Sequence, residues 1–439
     1  MTGLTLETAL LAAIAPILVA LLTVGFASRP ASAIPLLLLV QMTASYAVIG
    51  GISLGQLNVY PGDILSVGLV AATLARWQQR RVGLRSSGML ILMLVILVFS
   101  LVRGAAAFGL LPATNAAREM IAMLAAAIFF STVRITPQII RTVRNWLLVA
   151  SFVLVVVAIN FWFQRGFGTY AASGDRALNG LQALIILEAT VITILFPPFR
   201  GPVLRWVVPL AGIVVVVLST QRTVWASGVV AAAILVVARP KSSGSTSIAG
   251  TRLAVIAGAV AIVLLVAAGP PGATSDLLTG YGDTSSSQYS TFSWRLEGWS
   301  ILISRQIDGP AVDLVFGSPS GTGEDRVMNG AIVTASSHSQ YVSTLTMIGL
   351  LGLALLLGVY VTALRGSRRA LRSPSPFVGQ VALLFIAMLA LKLTYSVGYS
   401  LAALGGLILG LAYAFVRGNS QDPPSTRPND VLPATTQGT

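Results

Sequence analysis

Apolar residues run in stretches of about 20, the length at which an α-helix crosses the hydrocarbon core of a bilayer. Clusters of Arg, Pro and Gly separate these stretches. The pattern predicts spans at about 8–26, 33–51, 61–76, 88–107, 116–133, 145–162, 181–197, 204–219, 223–238, 253–268, 339–363, 378–395 and 398–416. These are thirteen, with twelve equally admissible. The first stretch ends in ordinary membrane sequence at Phe26 and Ala27 and lacks a basic leader, so it reads as a retained helix. The expected organisation is an N-terminal transmembrane bundle over 1–268, a large extracytoplasmic loop over 269–337, C-terminal transmembrane helices over 338–416 and a disordered cytoplasmic tail over 417–439. The tail is polar and Pro-rich, with little to bury. Within the large loop, Phe292, Leu296, Trp299 and Ile303 recur at spacings of four, three and four, which predicts an amphipathic helix lying on the membrane surface.

Composition agrees with this all-α polytopic class. Of 439 residues, 55% are hydrophobic and only 10% charged, with a mean hydropathy of +0.84, whereas a soluble domain carries roughly 25% charged residues. The net charge of +14 could be taken for a nucleic-acid signal, but its placement argues for orientation. Nineteen basic residues fall in one alternating set of loops and tails that holds only two acids, Asp422 and Asp430, as the positive-inside rule requires of the cytoplasmic side. The predicted extracytoplasmic loop is acidic instead. No nucleic-acid partner is expected. The absence of cysteine excludes disulfides, thiolate nucleophiles and cysteine metal sites, and a single histidine excludes a histidine-rich cage.

That histidine, His338, stands at the predicted outer mouth of a span, in SSHSQYVSTLTMIGLLGLALLL. It is either a general base for a sugar hydroxyl, because imidazole exchanges a proton near neutral pH, or an interfacial cap. Arg222, in LSTQRTVW, occupies a tight predicted outer turn, against the orientation rule. It either snorkels to headgroups or binds an anion, for which the planar guanidinium suits a diphosphate bidentately. Arg295 lies on the amphipathic helix one turn before Trp299, either solvated or reaching towards a lipid phosphate. Arg176 in GDRALNGL either pairs with Asp175 or contributes to the same anion site. The FGSPSGTG stretch from Phe316 to Gly323 lacks the lysine of a P-loop and reads as an external turn. Arg118, Glu119, Glu188 and Lys392 fall at predicted membrane depth and should pair or face a cavity, while Arg103 is placed to snorkel. Glu324 and Asp325 are adjacent but have no evident third ligand, so no metal and no cofactor are expected.

Three segments in this order, LSTQRTVWASGVV, SWRLEGWSILI and SHSQYVSTLTMIGLLGLALLL, resemble the bacterial O-antigen ligase and O-antigen polymerase superfamily. The likeness rests on Arg222, on the Arg295 and Trp299 pair, and on His338 with Tyr341 and the run from Gly349 to Gly352, covering roughly residues 215 to 360. Ser339 stands where Asn is usual, and Met347 where an acidic residue is common. The resemblance implies a GT-C-type integral membrane glycosyltransferase in the bacterial cytoplasmic membrane, acting on its extracytoplasmic side. It would move an oligo- or polysaccharide from an undecaprenyl diphosphate carrier to a glycan, lipid or protein acceptor, without metal and with inversion. In that role His338 is the base, Arg222 and Arg295 clamp the diphosphate, and Arg176, Trp299 and Tyr341 contact substrate. The competing reading is a multispan transporter or flippase of lipid-linked sugars, which the intramembrane charges would suit. A structural membrane scaffold is a third.

Overall fold

The computed structural model describes residues 6–43, 52–54, 57–79, 87–165, 177–199, 201–219, 221–238, 291–328, 330–333 and 336–420. The predicted span at 253–268, Arg176, the first part of the large loop and the chain after residue 420 lie outside these residues. Among the described residues the protein is nearly all helical. In chain order the helices are α1 (Leu6–Ser28), α2 (Ala33–Thr43), α3 (Pro61–Gln78), α4 (Gly88–Phe108), α5 (Leu110–Ser131), α6 (Pro137–Arg165), α7 (Gly180–Leu195), α8 (Pro202–Leu218) and α9 (Arg222–Val237). They continue with α10 (Thr291–Asp308), α11 (Ala311–Phe316), α12 (Gln340–Ala370), α13 (Pro376–Tyr395) and α14 (Ala402–Ser420). A short hairpin, β1 (Ile52–Leu54) with β2 (Leu57–Val59), precedes α3, and a second, β3 (Arg326–Met328) with β4 (Ala331–Val333), precedes α12.

Each predicted span that falls on described residues is a helix, and α4, α5, α6, α12 and α13 are long and apolar enough to cross a membrane. The protein is thus a polytopic helical membrane protein. Its outward apolar faces match: Phe152 on α6 is 70% exposed and Val102 on α4 is 62% exposed, as side chains solvated by lipid would be. Local chemistry sets the helix starts. Asn179 accepts a hydrogen bond from the Gln182 N–H at 2.9 Å while the Gln182 side chain accepts one from the Asn179 N–H at 3.0 Å, a reciprocal cap on α7. Gly109, at φ 88°, breaks α4 from α5.

The largest helix contact joins α14 to α5. Gly406 and Gly410, spaced by four, lie directly on the α5 backbone at Met123 and Ala127, where a Cβ would collide. Lipid tails give apolar side chains little reason to associate, so close backbone approach through small residues drives such pairs. Elsewhere α9 packs on α13, α7 on α8 and α1 on α3.

The segment from α10 to Ser339 forms a cap over one end of this bundle. The predicted amphipathic helix is α10. Gly298, Leu302 and Gln306 are its buried face, Trp299 is half-buried, and Leu296 is 47% exposed. Gly298 lets the helix pass close to the Arg326 side chain, whose Nε would lie 2.5 Å from a Cβ there. The FGSPSGTG stretch, expected as an external turn, is anchored to the bundle. The Ser318 N–H donates to the Thr346 carbonyl at 2.8 Å, the Ser320 N–H to that of Ser100 at 3.0 Å, and the Ser320 hydroxyl to that of Ala113 at 2.6 Å. Three helices, α12, α4 and α5, therefore hold it. Gly317 (φ 90°) lies against the Met347 and Ile348 backbone and Gly349 (φ 70°) against that of Val315 and Gly317, and Gly349 puts a non-helical residue inside α12.

Candidate functional site

His338 lies two residues before the first residue of α12, at a positive φ of 51°. A non-glycine residue there costs about 1 kcal/mol or more and persists only where its surroundings dictate it. The surroundings are specific. The Glu324 carboxylate accepts the Ser337 N–H, the Ser337 hydroxyl at 3.2 Å and the Ser343 hydroxyl at 2.8 Å. The Trp299 indole N–H donates to the Ser337 carbonyl at 2.6 Å. The His338 N–H donates to the Ser336 hydroxyl at 3.1 Å. Ser339, in place of the asparagine of the resembled motif, caps α12 by accepting from the Val342 N–H. The residue on each side of His338 is thus fixed while its ring remains half-buried.

On one side of His338 lies Arg295. Its Nη1 donates to the Gly398 carbonyl at 3.3 Å, and its guanidinium lies over the Tyr399 ring at 5.2 Å. The Tyr399 hydroxyl donates to Gln221 Oε1 at 3.1 Å, and Gln221 Nε2 donates in turn to the Leu178 carbonyl at 2.9 Å. A Cβ on Gly398 would sit 2.8 Å from Thr223 Oγ1 and 3.2 Å from Arg295 Nη1, so the start of α9, α10 and the α13–α14 turn converge on a residue without a side chain. This convergence brings Arg222, the first residue of α9, to the same end of the bundle as Arg295 and His338, although the three are far apart in sequence. Arg222 is exposed and makes no ion pair among the described residues.

Tyr341 and Trp299 fall in the same cluster with their polar atoms engaged. The Tyr341 hydroxyl donates to the Leu393 carbonyl at 2.8 Å, and the Trp299 indole holds Ser337 as described. Trp299 braces the His338 loop, and Tyr341 ties the first turn of α12 to α13. Arg103 and Arg118, placed by sequence near or within the membrane, are paired: Arg103 with Asp313, and Arg118 Nε with Asp63 at 2.9 Å.

On the other side are carboxylates that sequence reasoning did not place here. Glu324 looked like half of a weak metal pair and Glu119 like an intramembrane charge. Both line a cavity of about 370 Å³ beneath α10, together with Asn115, Asp325, Ser336 and Ser343. Glu119 also accepts a hydrogen bond from the Ser400 hydroxyl. Among the described residues no three His, Asp or Glu side chains cluster as a metal site. His338 therefore sits between cations and anions. Partial burial is the main influence holding its imidazole below the ordinary histidine value; Arg295 adds to that and Glu324 partly offsets it. A shift in that direction favours the uncharged imidazole, the form that can accept a proton.

No protein-family model matches this sequence, and no curated protein matches it. Fold and site together define a helical membrane protein with a capped, histidine-bearing polar site at one end of its bundle.

Proposed function

We propose that the protein is an integral membrane glycosyltransferase of the O-antigen ligase and polymerase type. It would transfer a glycan from an undecaprenyl diphosphate donor to an acceptor hydroxyl at the extracytoplasmic face of the bacterial cytoplasmic membrane. A full set of twelve or thirteen spans and a GT-C-type architecture belong to the same reading. The observation that carries it is one half-buried histidine held beside Arg295, with the Arg222 helix start converging on the same end of the bundle. In a single displacement the acceptor oxygen bonds to the anomeric carbon as the bond from that carbon to the diphosphate oxygen breaks. His338 takes the hydroxyl proton, and the departing diphosphate keeps the electron pair, its charge met by Arg222 and Arg295. Guanidinium groups suit this task because they remain charged and bind phosphate oxygens in pairs.

The transporter reading draws on charges within the membrane. Its best candidates, Glu188 and Lys392, pair with each other at 0% and 1% exposure. A relay needs a path to water, so this pair favours the enzyme. The deciding experiment reconstitutes the full chain in vesicles with an undecaprenyl diphosphate-linked glycan and candidate acceptors, and follows release of free undecaprenyl diphosphate. Acceptor-dependent release that is lost in His338→Ala is expected. Passage of the intact carrier across the bilayer without cleavage would overturn the transferase reading.

A further inference from the structure

The cavity beneath α10 is lined by neither Arg222 nor Arg295, and its chemistry is opposite to theirs. Three carboxylates, Glu119, Glu324 and Asp325, line it against one guanidinium, Arg305, which is already donating to the Asp325 carbonyl. Between the charges stand groups that both donate and accept, including the exposed Asn115 and the Ser336 and Ser343 hydroxyls. Met120, Leu302 and Met347 supply apolar wall. Carboxylates make short, strong hydrogen bonds with hydroxyl donors. Apolar side chains suit the C–H face of a pyranose ring. Like charges, in contrast, repel strongly in a partly desolvated site. At about 370 Å³ the space is at the small end of ligand pockets, with room for a terminal sugar or two and not for a polymer.

We infer that this cavity is the acceptor subsite, built for an uncharged, hydroxyl-rich glycan end and set against acceptors that carry a carboxylate or phosphate near the reacting hydroxyl. The inference rests on the transferase reading for the word acceptor; the binding of a neutral glycan does not depend on it. Glu324 ties the two parts of the site together. The carboxylate that lines the cavity also fixes Ser337 and Ser343 on either side of the histidine. A hydroxyl held in the cavity is thereby indexed to the base, while the diphosphate is kept on the arginine side by charge alone.

The test uses the reconstituted full chain, saturation-transfer NMR, and a panel of neutral trisaccharides with matched uronate-containing trisaccharides. At least one neutral member should bind, with its uronate counterpart weaker by about tenfold or more. Asn115→Trp fills the cavity from an exposed α5 position that makes no side-chain hydrogen bond among the described residues. It should abolish glycan binding and raise the acceptor KM at least tenfold, while binding of undecaprenyl diphosphate is retained and reports a folded protein. Glu119→Gln, which keeps shape and removes one charge, should narrow the gap between neutral and uronate ligands. Equal binding of the two classes, or a wild-type acceptor KM in Asn115→Trp alongside normal donor cleavage, would overturn the subsite and leave the transferase standing. If the carrier is never cleaved but a neutral trisaccharide binds and is lost in Asn115→Trp, the transferase falls and the glycan site stands.

Discussion

Two regions of this protein handle charge in opposite ways. In the bundle, Glu188 of α7 and Lys392 of α13 face only each other and are sealed at 0% and 1% exposure. At the capped end, Arg222 is exposed, Arg295 keeps one ring contact and one carbonyl, and Glu119 and Glu324 border open space. Moving charge out of water is so costly that a buried ion must find its complement, and a satisfied pair has nothing left to offer a ligand. Charge that does chemistry must stay incompletely paired, which is tolerable only near water. Under the proposed function the first region is structural and the second is the one that meets substrate.

The sharpest way to break this contrast is to exchange its consequences. His338→Ala should lower transfer by about 10²- to 10⁴-fold, the range for losing a general base, without moving the thermal unfolding of the detergent-solubilised protein. A joint loss of activity and stability would make His338 a structural residue. Lys392→Met should do the reverse, destabilising the protein by about 3–5 kcal/mol because Glu188 is left buried and alone. Adding Glu188→Leu should recover most of that, and failure to recover would argue that the charges themselves are needed. Arg222→Lys should weaken donor binding by about tenfold, since a point charge cannot reproduce a forked contact; equal affinity would remove Arg222 from the donor site.

The smallest effect is the most diagnostic. In the proposed mechanism neutral imidazole is the active form, so activity should be full above the His338 pKa and lost as pH falls through it. With burial and Arg295 holding that pKa below the ordinary 6.5, the acid limb should lie below pH 6.5. Arg295→Gln removes a cation and should move the limb upward, whereas Glu324→Gln removes an anion and should move it downward. A limb that ignores both substitutions would belong to another group.

Much of the fold was legible because bilayer length and apolarity need no tertiary information. Helix α14 was readable as a span, but the Gly406 and Gly410 spacing that seats it on α5 depends on which face meets which neighbour. The α10 helix was predicted, but apolar periodicity did not name the face that packs on the cap, because it identifies a buried side only when water is the alternative. Leu296 is exposed, and the cap packs through Gly298, Leu302 and Gln306. In the site, His338 stood out as the single histidine and Arg222 as an arginine on the wrong side, while Arg295 was singled out by its place before Trp299 in the resembled motif. Glu324 did not, since its partners are serines brought close by the α12 start and no spacing in the chain announces them. Tyr399 was hidden for the same reason: its value lies in lying under Arg295.

The meeting of Gly317 with Gly349 limits how the chain can change. Backbone lies on backbone there, so the path from α11 to α12 has no slack: one inserted residue would pull Ser318 away from Thr346 and carry Glu324 off the histidine loop. Length variation among variants of this protein should therefore be nearly absent from 316 to 349, a polar stretch whose length is as constrained as that of a membrane helix.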